Sequence, residues 1–152
     1  MTLDGFIGQT DAVRALREQA GRPQPASTLL IGPAGCGRRV AAAAVLNEWR
    51  STREPLIDLS SRQLVMSEDA GRDETDPQFP FAQLRRLLSL RAVGRRGVII
   101  NLDGANQHVQ NALLKTLEEP PADTWLIALS TNPCAVLATV RSRCHRIRFH
   151  PL

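Results

Sequence analysis

The residues with the clearest chemical potential lie in the run Leu29-Leu30-Ile31-Gly32-Pro33-Ala34-Gly35-Cys36-Gly37-Arg38-Arg39. An apolar stretch enters a glycine-rich turn in which Gly32 and Gly37 keep the spacing of a phosphate-binding loop. In such a loop the backbone N–H groups and the following helix N-terminus cradle phosphate oxygens. A lysine reaches the β and γ oxygens, and a Ser or Thr hydroxyl binds Mg²⁺. Here Arg38 stands at the lysine position and replaces a compact ammonium with a bulky planar fork. Arg39 stands at the hydroxyl position, where it offers no oxygen to a metal and brings a second cation to the expected place of Mg²⁺. These two residue types argue against hydrolysis at the loop. Gly32, Gly35, Gly37, Arg38 and Arg39 therefore read as scaffold without ATP, as an ATP site in which Arg38 substitutes for lysine, or as a metal-free anion site.

A second candidate lies at Asp103, which closes the near-continuous apolar run 97–103. A phosphate-loop ATPase keeps a strand-end aspartate there to help hold Mg²⁺. The next residue is Gly104, where such ATPases usually place a glutamate to activate the attacking water, and glycine supplies no base. Glu118 and Glu119 are adjacent carboxylates at a helix end before Pro120 and Pro121, and they read as solvated surface. His108, His145 and His150 show no ligand spacing. Cys36, Cys134 and Cys144 contain no C-x-x-C pair, which fits reduced, mostly buried thiols rather than a disulfide framework or a zinc cluster.

These groups need a scaffold, and 152 residues of ordinary apolar and charged content suffice for one domain with a sizeable core. No apolar run approaches the roughly 18 residues of a membrane span, and no charged-then-apolar leader opens the chain, so a cytoplasmic protein without membrane contact is expected. The net charge of +4 is almost all arginine, since Lys115 is the one lysine. That excess permits contact with nucleic acid or an acidic partner without demanding it.

Apolar periodicity places helices at 12–20 (capped by Thr10 or Asp11), 39–49, 79–93, 106–118 and 135–140. It places strands at 28–31, 56–59, 97–103, 125–129 and 146–149. Phe81, Leu84, Leu87, Leu88 and Val93 are available for one buried helix face. The polar stretch 60–77 offers little apolar area against its ordering entropy and reads as a mobile surface loop. Alternating strands and helices imply an α/β domain with a parallel sheet and function at the carboxyl ends of its strands.

Three further stretches carry a family resemblance: Asn111-Ala112-Leu113-Leu114-Lys115-Thr116-Leu117-Glu118-Glu119-Pro120-Pro121, Ser130-Thr131-Asn132-Pro133, and Arg141-Ser142-Arg143-Cys144. With Ile7-Gly8-Gln9 and the loop at Gly32, the chain resembles the first, AAA+ domain of bacterial DNA polymerase III clamp-loader subunits over essentially its whole length. The resemblance implies a three-layer P-loop/AAA+ fold with a five-stranded parallel sheet in the order 5-1-4-3-2 and helices on both faces. Asp103-Gly104-Ala105 and Ala122-Asp123-Thr124-Trp125 look more like δ′ than γ/τ, whose members keep a complete lysine-threonine loop and an Asp-Glu pair. A γ/τ-like ATPase is the alternative. Both subunits usually carry a four-cysteine zinc module, but the stretch 49–56 holds no cysteine, so zinc is not expected.

The resemblance further implies that Arg143 is an arginine finger reaching the ATP of a neighbouring subunit, against the plainer reading that it pairs with a local carboxylate. Arg141 reads as structural. Thr131, with Ser130, matches the position that senses the γ-phosphate. The implied partners are the other clamp-loader subunits (γ/τ and δ) and, through the complex, the sliding clamp and primer-template DNA. Clamp-loader subunits continue into a helical lid and collar, so residues 1–152 are expected to be the AAA+ domain alone, with those two domains absent from this chain.

Overall fold

The computed structural model describes residues 8–60 and 80–151, with side chains at 80–83 left aside. The chain runs α1 (Thr10–Ala20), β1 (Thr28–Ile31), α2 (Arg38–Trp49), β2 (Ile57–Leu59), α3 (Pro80–Ser89), β3 (Arg96–Asn101), α4 (Gln107–Glu118), β4 (Thr124–Ser130), α5 (Ala138–Arg143) and β5 (His145–Arg148). The five strands form one parallel sheet in the order β2-β3-β4-β1-β5, which is the expected 5-1-4-3-2 order read from the other edge.

The central strands β1 and β4 are buried along their whole length, as strands covered on both faces must be. Alternate residues then feed two cores. Leu30, Ile99, Trp125, Ile127, Leu129 and Ile147 pack under α1 and α2, against Leu16, Val45, Leu46 and Trp49. On the other face Leu29, Ile31, Val98, Ile100 and Leu126 meet Leu84, Val109, Leu113, Leu117 and Val140 of α3, α4 and α5. Each fully buried leucine or isoleucine stabilises by about 1.5–3 kcal/mol. The alanine-rich α2 lies close on β3, where a side chain at Gly97 would meet Leu46 Cβ at 3.0 Å. Trp125 stacks edge-on against Trp49 at 5.6 Å and donates its indole N–H to Thr28 Oγ1 at 3.1 Å.

Several boundaries differ from expectation, each for a tertiary reason. α1 begins at Thr10 after Gln9, and neither Thr10 nor Asp11 caps it. α3 stops at Ser89, so Val93 is exposed, while Leu84 is buried and Leu87 and Leu88 are half-buried. The side chain of Arg96 ends that helix: its Nη1 donates to Leu87 O at 2.8 Å and Leu90 O at 3.0 Å, and its Nη2 to Thr124 Oγ1 at 3.2 Å. Burial lowers the pKa of this guanidinium, opposed by the nearby Glu54 carboxylate.

The single helix expected at 135–140 is instead a 3₁₀ turn (Pro133–Ala135) followed by α5. Asn132 caps the turn through Cys134 N, Val136 is extended, and Leu137 N is taken by the Gln110 side chain at 2.7 Å. Cys36 and Cys144 are buried and Cys134 is exposed. The loop expected at 60–77, Ile7 and the side chain of Phe81 lie outside the described residues, apart from Ser60 at the end of β2.

Candidate functional site

Parallel pairing brings the sequence candidates to one end of the sheet. Ile31 and Ser130 are register partners, Gly32 N donates to Ser130 O at 3.2 Å, and Leu102 N donates to Leu129 O at 2.9 Å. The glycine loop after β1, Asp103 after β3, and Thr131 after β4 therefore stand side by side at the carboxyl edge. Gly35 and Gly37 adopt φ of 81° and 92°, the left-handed turn that lets the loop enter α2. Gly32 is needed for contact: a Cβ there would lie 2.8 Å from Phe149 Cβ and 2.9 Å from both Phe149 O and Cys36 Sγ.

Arg39 does not sit where a metal would. Its Nε donates to Ser60 Oγ at 2.7 Å and its Nη2 pairs with Asp58 Oδ2 at 2.8 Å, so the guanidinium is drawn toward the end of β2. This corrects the expectation of a second cation inside the loop. The physical cause is the Asp58 carboxylate, which offers Arg39 a hydrogen-bonded countercharge that the loop lacks. Arg38, the first residue of α2, is half-buried, and its Nη1 is shielded from solvent without a hydrogen-bond partner.

Asp103 is held from β4. Thr131 donates to its Oδ1 from both the backbone N, at 2.9 Å, and Oγ1, at 3.1 Å, and Ser130 Oγ lies 3.5 Å away. Gly104 follows with φ of 80° and no side chain to act as a base.

Arg143 stands apart from this group, in the last turn of α5 on the opposite side of the sheet from α2. Its Nε lies 3.4 Å from Glu118 Oε2, and its Nη1 donates to Thr139 O at 3.1 Å. The plainer pairing with a local carboxylate is thus present, in a loose and exposed form. Exposed pairs of this kind contribute about 0–1 kcal/mol, so the guanidinium is released at small cost.

Two buried glutamines tie the site together, Gln9 of the Ile7-Gly8-Gln9 stretch, to which the sequence assigned no such role, and Gln110, which sequence reasoning missed. Gln9 donates to His150 O at 2.7 Å and to Cys36 O at 3.4 Å and accepts from His150 N at 3.1 Å, joining the start of α1, the glycine loop and the residues after β5. Gln110 donates to Ala105 O and Ala135 O, both at 3.0 Å, and accepts from Leu137 N, linking the turn after Asp103 to the approach to α5. Their signal in the sequence is faint: each is a polar residue beside an otherwise apolar helix face. Asp58 was also missed, because nothing local marks it as the partner of Arg39.

The fold and the loop define an AAA+-type α/β domain. A RuvB point mutant from Thermotoga maritima superposes with a TM-score of 0.69 at 20% identity, covering 97% of this chain and 48% of that one. Sequence narrows the class. The family described as "DNA polymerase III, delta subunit" matches residues 86–152. The DNA polymerase III subunit delta′ of Pseudomonas aeruginosa is 30% identical over 145 residues, covering 82% of this chain and 43% of that protein. The Escherichia coli subunit delta′ is 65% identical over 34 residues, or 22% of this chain and 10% of that protein. The chain is a δ′-like clamp-loader homologue, and it spans less than half the length of these relatives. Among the described residues, no helix is long and apolar enough to cross a membrane.

Proposed function

We propose that this domain serves DNA replication as part of a δ′-like, cytoplasmic clamp-loader subunit that does not hydrolyse ATP and lends Arg143 to a neighbour's nucleotide. The observation that carries the reading is the state of the loop. The hydroxyl position is Arg39, which carries no oxygen for Mg²⁺ and whose guanidinium is engaged with Asp58 and Ser60. Asp103 is bound by Thr131, and Gly104 supplies no base. The residues present do not fit Mg²⁺·ATP in a hydrolytic arrangement.

Arg143 needs no nucleotide of its own to act. A guanidinium presented across an interface stabilises charge developing on a γ-phosphate, an effect on the order of 10³–10⁵ in turnover. The partners under this reading are γ/τ and δ subunits, and through them the sliding clamp and primer-template DNA. Arg143→Ala in the full-length protein should leave the stability of the domain within about 1 kcal/mol, since only exposed contacts with Glu118, Thr139 and Ser142 are lost. ATP turnover by the reconstituted loader should fall by orders of magnitude; unchanged turnover removes the finger assignment.

A second reading is favoured by one observation, the solvent-shielded and unbonded Nη1 of Arg38 beside the loop. In a γ/τ-like ATPase that group would take the lysine's place on the phosphates. Calorimetry with Mg²⁺·ATP separates the two: no heat is expected for the inert subunit, and micromolar binding with hydrolysis would replace it by the enzyme.

A further inference from the structure

A cleft of about 380 Å³ opens at the carboxyl edge of the sheet, bounded by Ile31, Pro133, Arg141, Arg146 and Arg148. Among the described residues that line it, three of five are arginines and none is acidic. Arg146 and Arg148 are two apart on the edge strand β5 and so project to one face. Their register partners are Leu29 and Ile31, which belong to the core beneath α5, whereas Ile147 between them packs on the other face. Arg141 reaches the same cleft from α5.

The three guanidinia are uncompensated. Among the described residues, no hydrogen bond or ion pair engages any of these side chains, and Arg141 Nε is sealed from solvent without a partner. Three other arginines do find partners: Arg39 takes Asp58, Arg96 takes helix carbonyls, and Arg143 takes Glu118. Like charges gathered around one hollow repel, and a shielded donor without an acceptor is costly, so the arrangement is relieved by an anion. The number of forks indicates its class. A carboxylate is satisfied by a single bidentate guanidinium, whereas a phosphoryl group carries more oxygens and more charge and can take several.

We propose that Arg141, Arg146 and Arg148 form a phosphoryl-binding site on the α5 face of the edge strand, distinct from the glycine loop and from Arg143. Arg143 turns toward α4, and the loop leads into α2 beneath the opposite core. The site stands whether or not the clamp-loader role does. The same chemistry is offered by free pyrophosphate and by a nucleic-acid backbone, and binding measurements distinguish them.

The 152-residue chain is titrated without Mg²⁺ against inorganic pyrophosphate and, separately, against a short single-stranded oligonucleotide, at matched ionic strength. Arg146→Gln/Arg148→Gln changes only exposed side chains, and circular dichroism verifies its fold. It should weaken binding by about tenfold or more, while Arg53→Gln, which removes one exposed charge before β2, leaves binding unchanged. Arginine-dependent binding of pyrophosphate assigns a free phosphate. Binding of the oligonucleotide alone, falling steeply with salt, assigns a backbone phosphate. The proposal is overturned if neither binds, if the double substitution changes nothing, or if a glutamate-rich peptide binds more tightly than both.

Discussion

Substituting Gly32 by alanine tests whether the first loop glycine is held by packing in this chain, independently of any phosphate. The added Cβ would stand 2.8 Å from Phe149 Cβ and 2.9 Å from Phe149 O. Phe149 N donates to Ile31 O at 2.7 Å, so the clash falls where β5 is clamped to β1 and cannot be relieved by a rotamer change. The third close atom, Cys36 Sγ at 2.9 Å, belongs to a side chain and can move. Overpacking of this kind costs about 1–3 kcal/mol, or about 2–12 °C in Tm for a domain of this size. Gly35→Ala provides the contrast. Nothing lies within 4 Å of its added Cβ, and its φ of 81° leaves only left-handed strain, about 1–2 kcal/mol less the gain from a stiffer unfolded chain. Urea unfolding of both variants, with Cys36→Ala in each background, measures the terms. Removing the sulfur should rescue part of the Gly32→Ala loss and none of the Gly35→Ala loss. A Gly32→Ala protein within about 0.5 kcal/mol of the parent refutes the reasoning.

Two further predictions concern residues away from the loop. Arg96→Met removes the donors that collect the last carbonyls of α3, and it should cost about 1–3 kcal/mol, with amide-exchange protection lost first in α3. Protection unchanged along α3 would show that the helix ends without this cap. Burial pushes the Cys144 thiol from 9.0 up to about 11. A thiol raised on folding stabilises below its unfolded value, so about 2–3 kcal/mol should be lost as pH climbs from 9.0 through about 11. Cys144→Ala should flatten that slope, and iodoacetamide should label exposed Cys134 long before Cys144. A pH profile identical in parent and variant would refute the assignment.

The limits of local reading are visible in particular residues. The strand at 97–103 was legible because three consecutive apolar residues, Val98, Ile99 and Ile100, serve both cores, yet its ordered pairing begins at Arg96, whose charge reads as surface. Periodicity carried the expected helix past Ser89 to Val93, because the feature that stops it is a guanidinium from a later strand. The pair of arginines after Gly37 marked the loop as altered. Their directions depend on Asp58, 19 residues from Arg39 in the chain, and on the absence of any acceptor for Arg38 Nη1.

The alternation of apolar runs, the glycine spacing and the replacement of the lysine and hydroxyl were determined by the sequence alone, because each follows from neighbours a few residues apart. Where the charges point was decided only by the tertiary structure. Arg39 leaves the loop for β2, Arg143 leans on Glu118, and Arg141, Arg146 and Arg148 share one cleft. A long charged side chain has many rotamers of similar energy, and it is the countercharge or carbonyl brought beside it by distant segments that selects one.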